Sequence, residues 1–91
     1  MHEVDPADVV ARFLRDGRLV TMPTKRSKRL LVLDHIAQEF ELGRTYPEAE
    51  VNEVLLRYHE DCAALRRYLV DEAFLTRDHG YYWRSGGSVH V

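Results

Sequence analysis

Basic side chains concentrate at the start of one expected helix. Lys25, Arg26, Lys28 and Arg29 stand in the first turn of a helix whose apolar positions begin at Leu30. Cations at this end oppose the helix dipole, whereas the free backbone N–H groups of a helix start attract anions. The cluster therefore indicates a phosphate or carboxylate partner. The alternative is a solvated basic face that acidic residues elsewhere balance.

A second basic pair lies on the third expected main helix. At 100° per residue, Arg67 falls on the outward face of this helix and Arg66 on its flank. Arginine side chains reach guanine edges and phosphates, so both are candidate DNA contacts. The same face carries Ala63, Ala64 and Asp71, which offer a duplex few hydrogen-bond donors. The alternative is a scaffold that binds protein.

Two further arginines flank an expected hairpin turn. Arg77 and Arg84 stand on either side of Asp78-His79-Gly80 and the aromatic run Tyr81–Trp83. A hairpin of this kind can contact the DNA backbone, which makes both arginines candidate anion contacts. The alternative is that Gly80 only serves the turn and that most of the aromatic rings pack into the core, with one of Tyr82 and Trp83 inward.

The sequence does not indicate an enzyme. His59 and Cys62 stand three residues apart, but a structural zinc site takes four ligands in paired spacings. Cys62 falls on the inner stripe of its helix, which predicts an inert thiol. The chain shows neither a glycine-rich phosphate loop nor a serine nucleophile elbow. We therefore expect no catalytic residues, no metal and no cofactor.

Length and charge place the chain among small globular domains. Its 91 residues are 45% hydrophobic, which is enough for one modest core. Its formal net charge of −2 argues against a protein that binds nucleic acid through a surface that is basic throughout. Residues 12–29 hold seven basic side chains and one acid, whereas residues 34–61 hold eight acids and two bases. A domain with one basic and one acidic region of this kind can orient an anionic partner.

The sequence has no apolar run that is long enough to cross a membrane. Since it also lacks an export signal and a second cysteine, we expect the protein to be cytoplasmic.

Cap and turn signals divide the chain into elements. We expect an N-terminal helix at about 5–15 that starts at Asp5 and stops at Asp16-Gly17, and then a short strand over 18–22. Thr24, Thr45 and Asp61 are the expected caps of three further helices, the first of which Gly43 ends. A hairpin over 73–84 follows, and residues 85–91 are an expected flexible tail.

This order predicts an α+β winged helix-turn-helix: a helix, a strand, three helices and a C-terminal β-hairpin wing. We expect the winged helix-turn-helix to form a single domain over residues 1–84. The turn between its second and third main helices is Tyr58-His59-Glu60-Asp61. The residues expected to be buried together are Leu33, Ile36, Val54, Leu65 and Leu69.

Several segments resemble a known bacterial family, the domain of unknown function 2087. The segments Asp16–Pro23 and Lys25–Leu30 are similar to its start. Its centre and end are matched by Tyr46, Glu50–Leu55, Tyr58-His59, Leu65–Asp71 and Tyr82–Arg84. The resemblance covers about residues 10–84. It implies a winged-helix-like fold and a context among transcriptional regulators, and it implies no catalytic residues. Pro47 departs from the Thr or Ser of the family pattern, so Thr45 must supply the cap.

The function expected from these features is a DNA-associated transcriptional regulator domain. The basic helix start would dock on the phosphate backbone of double-stranded DNA, with the arginines of the third main helix near the groove. In the competing hypothesis the same surface binds an acidic protein, such as part of the transcription machinery, and no DNA. A ligand-sensing domain is a third hypothesis. A homodimer is a further expectation, because a single half-site binds weakly.

Overall fold

Four helices and two small antiparallel sheets make up residues 6–89, the part of the chain that this computed structural model describes. The elements in order are α1 (Pro6–Phe13), β1 (Leu14–Arg15), β2 (Arg18–Leu19), α2 (Arg26–Ala37), β3 (Thr45–Pro47), α3 (Glu48–Leu56), α4 (Cys62–Asp71), β4 (Leu75–Asp78) and β5 (Tyr81–Arg84). The chain is therefore a mixed α+β protein, which confirms the expected class.

The first helix is shorter than expected because a hairpin follows it. α1 ends at Phe13, and β1 pairs antiparallel with β2 across Asp16 and Gly17. Both turn residues have positive φ, at 52° and 79°. Asp-Gly favours this two-residue turn, whose twist matches that of paired strands. The dipeptide therefore turns a hairpin rather than ending a helix, and Asp5, the expected helix cap, lies outside the described residues.

α2 begins without a side-chain cap. Its N-cap is Lys25 rather than the expected Thr24, and no side chain there accepts a hydrogen bond from the first turn. The backbone closes the turn instead, since the N–H groups of Lys28 and Arg29 both donate to the carbonyl of Lys25, at 3.1 and 2.9 Å. The helix ends at Ala37, several residues before Gly43, so the chain reaches that glycine through turns.

The second sheet has the strand order β3–β5–β4, with both pairs antiparallel. Thr45 pairs with Trp83 in this sheet and does not cap α3, whose N-cap is Pro47. Tyr82 lies between Tyr46 and Arg77 in the register. Its ring is buried, whereas Trp83 on the opposite face is half-buried, as the alternation along a strand requires.

The helix cap expected at Asp61 and the expected C-terminal hairpin are both confirmed. The carboxylate of Asp61 accepts a hydrogen bond from the N–H of Ala64 at 3.1 Å, which caps α4. Between β4 and β5, His79 and Gly80 have φ values of 50° and 81°. Both are the left-handed values that a two-residue hairpin turn needs. The expected hairpin is therefore present, with a tighter turn than the three residues suggested.

The core lies between α2, α3, α4 and the inner face of the three-stranded sheet. Four of the five residues expected there, Leu33, Ile36, Leu65 and Leu69, are buried in one cluster. Val54 is half-buried and packs against that cluster. The three-to-four spacing of apolar residues on each helix thus produces the common core.

The segment after β5 makes defined hydrogen bonds, although the sequence favoured a flexible tail from residue 85. The backbone N–H of Ser85 donates to Phe74 at 2.9 Å. The N–H and hydroxyl of Ser88 donate to the two carboxylate oxygens of Asp34, at 2.6 and 2.7 Å. Gln38 donates to the Ser88 carbonyl at 2.9 Å. These bonds hold the segment against α2 as far as Ser88, and residues 90 and 91 lie outside the described part.

Candidate anion and nucleic-acid interface

The basic cluster at the start of α2 divides into two kinds of residue. Lys25 is exposed and Lys28 is half-buried, and neither forms an ion pair within the described residues. Arg26 and Arg29, in contrast, are held by neighbouring groups of the same chain. The two lysines are therefore the cations of this cluster that a partner can engage at least structural cost.

Arg26 forms a bidentate ion pair with Glu72, the residue that follows α4. Its Nη2 lies 2.6 Å from Oε2 and its Nε 3.3 Å from Oε1. The hydrogen bond lowers the pKa of Glu72 and raises the pKa of Arg26. A carboxylate at the C-terminal end of a helix opposes the helix dipole, so Arg26 offsets an unfavourable charge and attaches α2 to α4.

Arg29 is held by the backbone before α2 and by an aromatic ring. Its Nη1 donates to the carbonyls of Thr24 and Pro23, at 3.0 and 3.5 Å. Its guanidinium lies 5.5 Å from the ring centroid of Tyr68 on α4, within the range of a cation–π contact. Since these contacts engage its guanidinium and its Nε is buried, this arginine is in large part structural. It also brings the first turn of α2 beside the exposed side of α4.

Arg66 on α4 is fixed by two residues of α3. Its Nη1 donates to the side-chain oxygen of Asn52, and its Nε lies 3.6 Å from Oε1 of Glu48. Glu48 and Asn52 stand four apart on one helix face, so they reach the same guanidinium. Arg67, the next residue, is exposed and makes no ion pair within residues 6–89.

The hairpin supplies a third arginine to the same side of the molecule. The guanidinium of Arg77 on β4 lies 6.0 Å from the ring centroid of Tyr82. The hydroxyl of that tyrosine donates to Glu48 Oε1 at 2.7 Å. This bond and the charge of Arg66 lower the pKa of Glu48. Burial, together with the same bond, raises the pKa of Tyr82.

A cleft between α4 and the hairpin brings three of the candidate residues together. Arg66, Arg67 and Arg77 all line it, and its volume is about 210 Å³. We name it the α4–hairpin cleft, and its other lining residues are Ala63, Val70, Asp71 and Tyr82. The sequence placed these arginines on two separate elements. The packing of the hairpin against α3 and α4 makes them one site.

Arg84 stands apart from the other candidates because it is buried. The residue is 9% exposed, and its guanidinium donates to the carbonyls of Phe40, Gly86 and Ser88. Three of its five N–H donors are bonded to backbone carbonyls, and burial keeps the guanidinium from reaching a phosphate outside the protein. The structure assigns Arg84 to holding the C-terminal segment in place.

His59 and Cys62 each have contacts of their own at the start of α4. Nδ1 of His59 accepts a hydrogen bond from the N–H of Asp61 at 2.9 Å, which orders the turn before α4. Cys62 is partly buried against the core. No group of three or more His, Cys, Asp or Glu residues that could hold a metal ion occurs between residues 6 and 89. The helices in this range are all too short or too polar to cross a membrane.

Glu48 and Tyr82 are the residues of this site that the sequence did not reveal. Glu48 lies in the first turn of α3, where a carboxylate already suits the helix dipole and needs no other reason to be there. Tyr82 belonged to an aromatic run expected to be mainly core. The one signal available was the four-residue spacing of Glu48 and Asn52, which gains meaning only beside Arg66.

These elements define a small α+β protein in which a helix and a hairpin share a basic cleft. The family described as an uncharacterized protein conserved in bacteria (DUF2087) matches residues 18–84, so the chain belongs to that family. The match confirms the resemblance found in the sequence. No curated protein and no solved structure matches the chain.

Proposed function

We propose that this protein is a winged-helix domain that binds double-stranded DNA as part of a transcriptional regulator. The order α2, β3, α3, α4, β4, β5 and the sheet order β3–β5–β4 support a winged helix. In this proposal α3 and α4 are the helix-turn-helix pair, joined by residues 57–61, and the β4–β5 hairpin is the wing.

One observation carries the proposal: the arginines of α4 and of the hairpin line a single cleft. A recognition helix keeps its register on a duplex only if groups beside it hold the phosphate backbone. Arg67 on α4 and Arg77 on the hairpin meet this requirement together. Both are exposed, and guanidinium groups match the geometry of phosphate oxygens.

The start of α2 extends this basic surface. Arg26 attaches the start of α2 to Glu72 at the C-terminal end of α4, and Arg29 attaches it to Tyr68 on the exposed side of α4. Lys25 and Lys28 therefore stand beside the helix that faces the DNA. In this proposal the two lysines contact the phosphate backbone, where they add affinity and no sequence preference.

The competing function is a module that binds an acidic protein through the same residues. Tyr68 favours it, because this ring is exposed between Arg29 and Arg67 and aromatic side chains are frequent centres of protein interfaces. Ala63 and Ala64 favour it too, since they give α4 few donors for reading bases. The test must therefore compare DNA with an acidic polypeptide.

The experiment measures the affinity of the protein for a duplex, and for polyglutamate, over a range of salt concentrations. In the variant Lys25→Gln/Lys28→Gln we expect the slope of log affinity against log salt to flatten by roughly two, since each lost phosphate contact removes about 0.9. The melting temperature should hold, because these cations oppose the dipole of α2.

The control is Arg12→Gln/Arg15→Gln, which removes the same charge from exposed residues of α1 and β1. It should leave the salt slope near that of the wild type. A wild-type protein that binds polyglutamate but shows no duplex binding at about 50 mM salt would reject the DNA proposal in favour of the protein-binding module.

A further inference from the structure

Arg66 in the α4–hairpin cleft is oriented before any ligand arrives. Asn52 and Glu48 hold its guanidinium from α3, and its side chain is 20% exposed. An arginine fixed in this way loses little side-chain entropy on binding, which is an advantage over a mobile surface arginine. The cleft therefore has one preset cation and two exposed ones, Arg67 and Arg77.

Glu48 also sets the position of the hairpin relative to α4. Its backbone N–H donates to the carbonyl of Gly80 at the hairpin turn, at 3.0 Å. Its carboxylate accepts the hydroxyl of Tyr82, over whose ring Arg77 lies. One residue of α3 thus fixes both walls of the cleft, and Glu48 is a positioning residue for this site.

The size of the cleft limits what it can hold. Its volume of about 210 Å³ is below the roughly 300–1,000 Å³ of pockets that enclose drug-sized ligands. A water molecule takes about 30 Å³ in the liquid, so the space accommodates a phosphate group and a few waters. A whole nucleotide would have to leave its base and sugar outside.

The charge of the cleft suits a single oxyanion. Its lining carries three guanidinium groups and the carboxylate of Asp71, and the carboxylate of Glu48 lies beside Arg66. The sum of these charges is an excess of one positive charge. A phosphodiester carries one negative charge. Guanidinium forks bind phosphate oxygens two at a time, so the cleft has the donors as well as the charge.

We propose that the α4–hairpin cleft binds one phosphate group, which Arg67 and Arg77 contact and for which Arg66 is held ready by Glu48 and Asn52. The inference rests on the proposed function in one respect, namely that the backbone of a duplex is the first expected source of that group. A small phosphorylated molecule is the second source of the same chemistry, and it would compete with DNA at this cleft.

The first test is an NMR titration of the wild-type protein with inorganic phosphate at constant ionic strength, observed at the arginine Nε–H signals. We expect saturable shifts at Arg66, Arg67 and Arg77. Arg67→Gln/Arg77→Gln should weaken phosphate binding on the order of tenfold. The control Arg12→Gln/Arg15→Gln, with the same change in net charge, should bind phosphate like the wild type.

A second variant tests the cleft by strengthening it. Asp71→Asn removes an exposed carboxylate from the cleft and from the C-terminal end of α4, where a negative charge opposes the dipole. We expect roughly two- to fivefold tighter phosphate binding and no loss of thermal stability. Because this variant gains binding, a failure to fold cannot imitate the expected result.

A duplex titration then separates this inference from the proposed function. Displacement of the duplex by phosphate, with shifts at the same three arginines, supports the cleft as a phosphate site and identifies the DNA backbone as the source of the phosphate group. Phosphate binding at the cleft without duplex binding also supports the cleft as a phosphate site, but it rejects the proposal that the protein binds DNA. Two results would overturn the cleft as a phosphate site. One is duplex binding that Arg67→Gln/Arg77→Gln and Arg12→Gln/Arg15→Gln weaken equally, and the other is phosphate-induced shifts that do not saturate.

Discussion

The hydroxyl of Tyr82 donates to Glu48 at 2.7 Å, and this bond joins the central strand of the sheet to the first turn of α3. Tyr82 is buried, whereas Glu48 is half-buried, and the bond between them is partly buried. The acceptor is an ionised carboxylate that also faces Arg66. The bond therefore contributes both to the stability of the sheet and to the shape of the cleft.

We expect Tyr82→Phe to lower the free energy of unfolding by about 1 kcal/mol, the usual net value of an intramolecular hydrogen bond. Tyr81→Phe is the matched control, because the neighbouring ring is 54% exposed, and its change should stay within about 0.5 kcal/mol. Urea unfolding of the two variants measures the difference. Equal stabilities would mean that the Glu48 bond contributes nothing.

Acid should loosen the attachment of the C-terminal segment to α2. Burial alone raises the pKa of Asp34, but hydrogen bonds from Ser88 and Gln38 and the charge of Arg84 outweigh it, so the net pKa lies below its usual value. A lowered pKa in the folded state means that the unfolded state takes up protons more readily. The contribution of the ionised Asp34 to the free energy of unfolding is complete above the pKa of the unfolded state, about 3.9. It is lost as the pH falls through the lower pKa of the folded state.

The variant Asp34→Asn tests this assignment by thermal melts at pH 7 and near pH 3. We expect it to melt earlier than the wild type at pH 7 and to lose less of its melting temperature on acidification. Glu53→Gln, an exposed change on α3, is the control. Parallel acid profiles for Asp34→Asn and the wild type would contradict the role given to Asp34.

Leu65 tests the packing of α4 against the core. It is 3% exposed within the main cluster, so Leu65→Ala should lower the free energy of unfolding by about 2–5 kcal/mol, from lost transfer energy and a residual cavity. Leu56→Ala on α3 is the control, since Leu56 is 46% exposed; its effect should be within about 0.5 kcal/mol. Similar melting temperatures for the two variants would mean that the inner face of α4 is assigned wrongly.

Gly80 tests the turn of the last hairpin. No atom beyond Gly80 and its two chain neighbours lies within 4 Å of the position where a Cβ would stand, so the main cost of a substitution here is that of its positive φ. Gly80→Val should lower the free energy of unfolding by about 1–2 kcal/mol. Gly80→Asn should lower it less, because asparagine accepts left-handed values. Equal losses for valine and asparagine would point to a cause other than φ.

The features predicted best are those that neighbouring residues decide. Asp61 caps α4, and Gly80 adopts the φ that its turn needs, because each outcome depends on three or four consecutive residues. Asp16-Gly17 belongs to the same class: the dipeptide is a hairpin signal, and its interpretation as the end of a helix was wrong. The strand at Thr45 was missed because its partner, Trp83, stands far along the chain.

The sequence by itself determined the class of the protein, the apolar stripes of its helices, the hairpin and the arginines of the candidate site. All of these depend on residue type and on spacing within one element. Only the tertiary structure decided which arginines have donors to offer. It buries Arg84 among carbonyls, pairs Arg26 with Glu72, and brings Arg67 and Arg77 into one cleft. Phe40 stands 44 residues from Arg84 and Glu72 stands 46 residues from Arg26, and Arg67 and Arg77 lie on different elements. The packing of those elements against each other, rather than any local pattern, selects these partners.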